Sequence, residues 1–158
     1  MHIETERKFL VRNASYKEAA VGRHHLVQAY IAHENGRTVR VRIADDKGIL
    51  TIKGPSLNGI SRKEWEIGIS LQDASDLMGL CRKGSIDKTR WIVPAGNGRF
   101  FEVDEFHGDN EGLTVAEIEL GSEDESFIRP DWLGAEVTGD RRYYNSYLTL
   151  APYSTWKE

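Results

Sequence analysis

Apolar and charged residues alternate with a period of two through most of this chain, and the charged positions are sorted by sign from one segment to the next. Segments 2–12, 25–33, 37–44, 48–53, 61–70, 85–94, 99–106 and 114–121 carry the pattern and read as strands. Between or beside them, Asn35-Gly36, Lys47-Gly48, Asn58-Gly59 and Asn97-Gly98 read as hairpin-type turns. Connections this short join antiparallel neighbours, because a parallel crossover needs about a dozen residues or more. An eight-stranded sheet tends to curl, and closing it removes its edges.

Three stretches have a helical period instead. Residues 14–21 follow the first strand, with Asn13 as the expected cap. Residues 71–82 place Leu71, Ala74, Leu77, Met78 and Cys81 on one face. The tail 141–150 carries Tyr143, Tyr144, Tyr147, Leu148 and Leu150. The expected class is α+β, led by an antiparallel sheet.

At 158 residues the chain is the size of one domain, 1–158, with enough length to bury a core. A formal charge of −4 argues against general nucleic-acid binding, which shows a basic surplus. The single cysteine, Cys81, excludes an internal disulfide and a cysteine-based zinc site. Met1-His2-Ile3-Glu4 opens on charge without an apolar run, and no stretch is long enough to cross a bilayer, so a cytoplasmic chain without membrane contact is expected. His24, His25 and His33 have no partner at metal-ligand spacing and read as surface residues. Trp65 and Trp91 fall on the apolar parity and read as core or helix-packing residues.

Residues two apart in a strand project from one face. That face collects Glu4, Glu6 and Lys8; Arg40 and Arg42; Lys53; Arg62, Glu64 and Glu66; Lys88 and Arg90; Glu102 and Asp104; Glu117 and Glu119. The alternate positions are apolar: Val39, Val41 and Ile43; Trp65, Ile67 and Ile69; Phe101 and Val103; Ile118 and Leu120. A solvated sheet face gives the same alternation. Here, however, the polar face is nearly all charge, and like charges sit side by side, which costs energy unless something neutralises them. Eight carboxylates against seven bases cannot form a dry core. They can line a wet concave site where bases hold a polyphosphate and carboxylates hold a hard cation such as Mg²⁺ or Mn²⁺.

Glu4-Thr5-Glu6-Arg7-Lys8 resembles the Glu-x-Glu-x-Lys signature of the triphosphate tunnel metalloenzymes, the CYTH domains. The similarity continues in order through Gln28-Ala29-Tyr30, Arg40-Val41-Arg42, Thr51-Ile52-Lys53 and Ser61-Arg62-Lys63-Glu64-Trp65-Glu66. It then runs through Lys88-Thr89-Arg90, Glu102-Val103-Asp104, Glu117-Ile118-Glu119 and the run from Val137 to Tyr143. The resemblance implies an eight-stranded antiparallel β-barrel tunnel with a charged interior and a few helices packed outside. It is greatest to the small single-domain bacterial members, which are often inorganic triphosphatases.

By that resemblance, Lys8, Arg40, Arg42, Lys53, Arg62, Lys88 and Arg90 hold the phosphates of a small anionic triphosphate. Glu4, Glu6, Glu64, Glu66, Asp104, Glu117 and Glu119 coordinate Mg²⁺ or Mn²⁺, directly or through water. Lys8, Tyr30 and Lys88 are the catalytic candidates, with Tyr30 orienting Lys8 and Lys8 a proton-transfer group. Either Arg141 or Arg142 reaches the substrate, Arg142 being preferred, while the last helix closes one tunnel end. A homodimer accords with the family likeness. The expected reaction is hydrolysis of inorganic triphosphate to pyrophosphate and orthophosphate. The alternatives are a nucleoside or thiamine triphosphatase, a class IV adenylyl cyclase, and a non-catalytic polyphosphate-binding module.

Overall fold

The computed structural model describes residues 1–156. Its strands are β1 (His2–Val11), β2 (Gly22–Glu34), β3 (Arg37–Ala44), β4 (Lys47–Ser56), β5 (Ser61–Ile69), β6 (Ile86–Gly96), β7 (Arg99–Phe106), β8 (Thr114–Glu119) and β9 (Leu133–Glu136). The sheet order is β5-β4-β3-β2-β6-β7-β8-β1-β9, and β5 pairs with β1, so the first eight strands close into an antiparallel barrel. One long edge of β1 is shared: its first half pairs with β5 and its end with β9. The short β9 was not visible as a strand in the sequence, because Leu133-Gly134-Ala135-Glu136 offers no alternation.

The alternation observed in the sequence sets which face turns inward. Across the ladders Lys8 faces Glu117, Arg90 faces Asp104, Tyr30 faces Arg40 and Lys53 faces Glu64. These residues therefore share the inward face. The opposite face packs in one sector: Phe9, Val93, Phe101, Val103, Ala116, Ile118 and Leu120 form a buried cluster with Tyr16, Trp132 and Leu133. Tyr16 lies on α1 (Tyr16–Ala19) and donates to the carboxylate of Glu105. Trp132 stacks edge-on against Tyr16 and Phe101, roofing the sector.

At one end of the bore the inner face itself turns apolar. Leu10, Ile86, Phe106 and Val115 share the inward parity of the neighbouring charges and pack with Leu113, Tyr143, Leu148 and Trp156 from other segments. The tail closes this end as a 3₁₀ turn (Arg141–Tyr143) followed by α3 (Asn145–Leu148), not as one continuous helix. The Asp140 side chain accepts from the Arg142 backbone N–H and starts the turn, and extended backbone at Tyr144 separates the two pieces.

Several other expectations need correction. Ser15, not Asn13, occupies the α1 cap position, and Asn13 Oδ1 accepts from the Ser15 N–H and Oγ instead. The helix expected over 71–82 is α2 (Leu71–Met78), ending at Gly79 and burying only Ala74. It covers part of β3 and β4 and leaves β5 bare, so Trp65 and Ile67 are 41% and 50% exposed instead of packed. The turn before β4 is at Asp45, which has φ 55°, while Lys47-Gly48 belongs to the strand. Asn35-Gly36 and Asn97-Gly98 do form turns with positive φ at both positions. Cys81 is partly buried after α2, and burial raises its thiol pKa, as expected of an unreactive cysteine. No helix among the described residues is long and apolar enough to cross a membrane.

Gly48 lies directly under α2: an added Cβ would sit 2.8 Å from Ala74 Cβ and 2.9 Å from the Ser70 carbonyl oxygen. Gly48→Ala is expected to destabilise the fold by about 1–3 kcal/mol through overpacking. A urea melt should show a lower midpoint with an unchanged slope.

Candidate active site

The bore encloses a cavity of about 450 Å³. Its wall includes Glu4, Glu6, Lys8, Tyr30, Arg40, Arg42, Lys53, Arg62, Glu64, Glu66, Lys88, Arg90, Glu102, Glu117 and Glu119. The strand parity thus brings nearly every expected site residue to one cavity. Asp104 lies behind this wall, 1% exposed, and Arg142 lies outside it.

The basic residues divide by partner. Lys88 Nζ donates to Asp104 Oδ2 at 2.6 Å, and Arg90 clamps the same carboxylate through Nε at 2.8 Å and Nη2 at 3.0 Å. Lys53 Nζ donates to both oxygens of Glu4, at 2.9 and 3.1 Å. Lys8 Nζ is 3.6 Å from Glu117 Oε1 and donates to the Tyr143 carbonyl at 3.1 Å. Three arginines of the cavity wall have no carboxylate partner among the described residues. Arg42 Nε donates to Gln28 Oε1 at 2.8 Å, and Arg40 Nη2 to Thr51 Oγ1 at 3.1 Å. Arg62 donates to the carbonyls of Gly54 and Gly36. Arg40 Nε is buried without any hydrogen-bond partner.

That division creates an electrostatic demand. Arg42 is buried beside Arg40 and Arg90, and burial first, then those two charges, weaken its hold on its proton. An arginine nevertheless stays charged at neutral pH, so the repulsion persists until an anion relieves it. Lys88 is the softer case: burial, together with Arg90 and Arg42, outweighs Asp104 and brings its pKa down to about 7. The acid side is crowded in the opposite sense. Burial first, then Glu117 and Glu4, raise Glu6 well above the ordinary glutamate range, and Glu6 shares a hydrogen bond with Glu117. Burial also opposes ionisation of Glu117, but Lys8, the Glu6 hydrogen bond, Arg90 and Lys88 prevail and hold it ionised. Burial and Glu4 raise Glu64 as well.

This is a donor set suited to a hard divalent cation. A small cation such as Mg²⁺ takes one or two carboxylates, keeps several waters and shares substrate oxygens, so a complete protein cage is not required. Consistently, no cluster of three or more metal-ligand side chains exists among the described residues. The crowded pair Glu6 and Glu117, with Glu4 beside them, fits such an ion. Asp104 does not, because it is 1% exposed behind the cavity wall, held there by Lys88 and Arg90.

Two other assignments change. Tyr30 is buried on the wall and makes no hydrogen bond to Lys8 among the described residues; the Tyr143 carbonyl and Glu117 orient Lys8 instead. Arg142 pairs with Asp140 at 2.8 Å and lies over the Tyr143 and Trp156 rings, turned away from the bore. Sequence reasoning noted Gln28 within a motif but gave it no role, and missed Asn145; both are uncharged residues that touch the cations. Gln28 has the inward parity of β2, a signal that could have revealed it; Asn145, on a short terminal helix, had none.

Glu6 carries a pH signature in chelator-treated protein. Above about pH 4.5 the unfolded chain releases this proton while the folded chain keeps it. The group's contribution to stability therefore falls as pH rises, until the folded carboxyl ionises. Glu6→Gln removes the titration and retains an N–H donor toward Glu117. The variant is expected to melt above the wild type at pH 7.5, with the gap closing as pH drops below 4.5. Thermal melts across pH 4–8 check the sign.

The site can now be set beside known proteins. Residues 2–146 match the CYTH domain. An inorganic triphosphatase of Acetivibrio thermocellus is 47% identical over 156 residues, covering 98% of each chain. An inorganic triphosphatase of Nitrosomonas europaea is 35% identical over 151 residues, covering 94% of this chain and 97% of that one. The crystal structure of an inorganic triphosphatase superposes with a TM-score of 0.68 at 32% identity, covering 95% of this chain and 96% of that chain. With a closed charged barrel and a match over nearly its full length, this chain belongs to the CYTH domain family.

Proposed function

We propose that this protein hydrolyses inorganic triphosphate to pyrophosphate and orthophosphate inside the barrel. The observation that carries the reading is the pair Arg40 and Arg42: two guanidiniums in one cavity with no carboxylate partner, one with an orphaned buried nitrogen. Two such forks match the oxygens of a short polyphosphate. The full-length similarity to two inorganic triphosphatases supports the choice of substrate.

The chemistry follows from placement. Phosphoryl transfer needs alignment and charge neutralisation more than covalent help from the protein. Arg40, Arg42 and Arg62 bind the chain of phosphates, and Lys8, Lys53, Lys88 and Arg90 supply further positive charge on the same wall. Glu6 and Glu117, with Glu4, would hold Mg²⁺ or Mn²⁺, which neutralises phosphate oxygens and lowers the pKa of a bound water. Glu64, Glu66 and Glu119 also face the cavity and can hold that ion's waters. Lys88, with its pKa near neutrality, is the wall residue best matched to carrying a proton at working pH. Tyr30 and Lys8 place a hydroxyl and an ammonium on the same wall, as donors to the substrate.

Orthophosphate release is to be measured from inorganic triphosphate, ATP and thiamine triphosphate, with Mg²⁺ and with Mn²⁺. Inorganic triphosphate should be cleaved fastest, and a chelator should abolish release. Arg42→Ala should lower kcat/KM by about 10²–10³-fold, the usual consequence of losing one aligned donor to developing charge. Cyclic nucleotide and pyrophosphate from ATP would replace the reading with a cyclase, and binding without turnover would replace it with a polyphosphate-binding module.

A further inference from the structure

We propose that Asn145 is a positioning residue: its side-chain carbonyl, working with the Gln28 amide, fixes Lys88 and Arg42 in the places from which they act on the substrate. The inference rests on the triphosphatase reading and adds to it residues that carry no charge.

The contacts form one chain along the wall of the bore. Asn145 Oδ1 accepts from Lys88 Nζ at 2.8 Å and from Gln28 Nε2 at 3.2 Å. Gln28 Oε1 in turn accepts from Arg42 Nε at 2.8 Å. Gln28 is 0% exposed, so water cannot replace either of its bonds, and breaking one leaves a buried polar atom unpaired. The bonds therefore fix which way both amides point. Each amide has one oxygen facing a cation, and the Gln28 NH₂ can face only the Asn145 oxygen. Lys88 and Arg42 lie on different strands, β6 and β3, with β2 between them. The amide link ties the two side chains to each other, where Asp104 alone would hold Lys88 with no tie to Arg42.

The amide's neutrality matters as much as its position. Lys88 already shares Asp104 with Arg90. A further carboxylate at position 145 would hold Lys88 equally well, but it would neutralise charge that the substrate needs. An amide carbonyl orients a cation without cancelling it. The residue that does this comes from α3, next to the Tyr143 carbonyl that accepts from Lys8 and the Tyr144 ring that Lys8 covers at 5.2 Å. The terminal segment thus closes the end of the barrel and also sets two lysines of the site.

The experiment compares wild type, Asn145→Ala and Asn145→Asp by steady-state hydrolysis of inorganic triphosphate with Mn²⁺ and by thermal melting. Asn145→Ala removes the acceptor, and kcat should fall about 10- to 100-fold with KM changed by less than about threefold, as misplacement of an aligned group predicts. Asn145→Asp keeps an acceptor oxygen in place and adds a charge, so kcat should fall less than in Asn145→Ala while KM rises about tenfold or more. Melting temperatures near wild type for both would separate positioning from a loss of folded protein. Wild-type kcat and KM in Asn145→Ala, or the same loss in both variants, would overturn the inference. Absence of turnover by the wild type would instead overturn the triphosphatase reading on which it rests.

Discussion

The structure depends on enclosing charge that it does not fully neutralise. An eight-stranded barrel has an interior that side chains ordinarily fill. Here the inward positions carry Arg40, Arg42, Lys88, Arg90, Glu6 and Glu117 around a cavity of about 450 Å³. Removing such groups from water costs several kcal/mol each unless partners compensate. Partners exist for some of them: Asp104 serves Lys88 and Arg90, and Glu4 serves Lys53. Those ion pairs hold a scaffold in which Arg40 and Arg42 are left without a carboxylate and burial pushes Glu6 toward its protonated form. The unmatched remainder is what a polyanion and its divalent counter-ion would complete.

Stability for this arrangement comes from elsewhere. The outer face of β1, β6, β7 and β8 packs under Tyr16, Trp132 and Leu133, and the apolar end of the bore packs under the terminal segment. Both regions concentrate on one half of the barrel. The other half is thinly covered, with α2 over β3 and β4 and Trp65 and Ile67 half-exposed on β5. Closure through the β5–β1 ladder joins the two halves and leaves neither as a free edge. The charged bore is therefore enclosed by a sheet whose hydrophobic support is lopsided.

Much of this was legible in the sequence because strand geometry leaves little freedom. A period of two assigns each residue to a face, so Arg40 with Arg42, Glu117 with Glu119 and Lys88 with Arg90 had to share surfaces once the strands were placed. The ordered run of motifs then pointed to closure and to the substrate class. What stayed hidden depended on contacts between segments distant in sequence. Nothing local reveals that Asp104 is taken by its cross-strand neighbours, or that Asp140 draws Arg142 out of the bore. The extent of α2 was overestimated because its apolar period runs past Gly79, and the packing of Trp65 because apolar parity was taken to mean burial. Gln28, quoted within a motif, was given no role and Asn145 was passed over, because amides look unremarkable in a face crowded with charge.

The unmatched guanidiniums and the crowded carboxylates would then be two halves of one site for a triphosphate and its metal. A crystal structure of the protein with inorganic triphosphate and Mn²⁺, using anomalous scattering to locate the metal, tests it most directly. The account predicts phosphate density within hydrogen-bonding distance of the cavity-facing nitrogens of Arg40 and Arg42. It also predicts a manganese peak bridging that density to Glu6 or Glu117. Phosphate bound only on the outer surface, or manganese found at Asp104 with its lysine and arginine displaced, would contradict it.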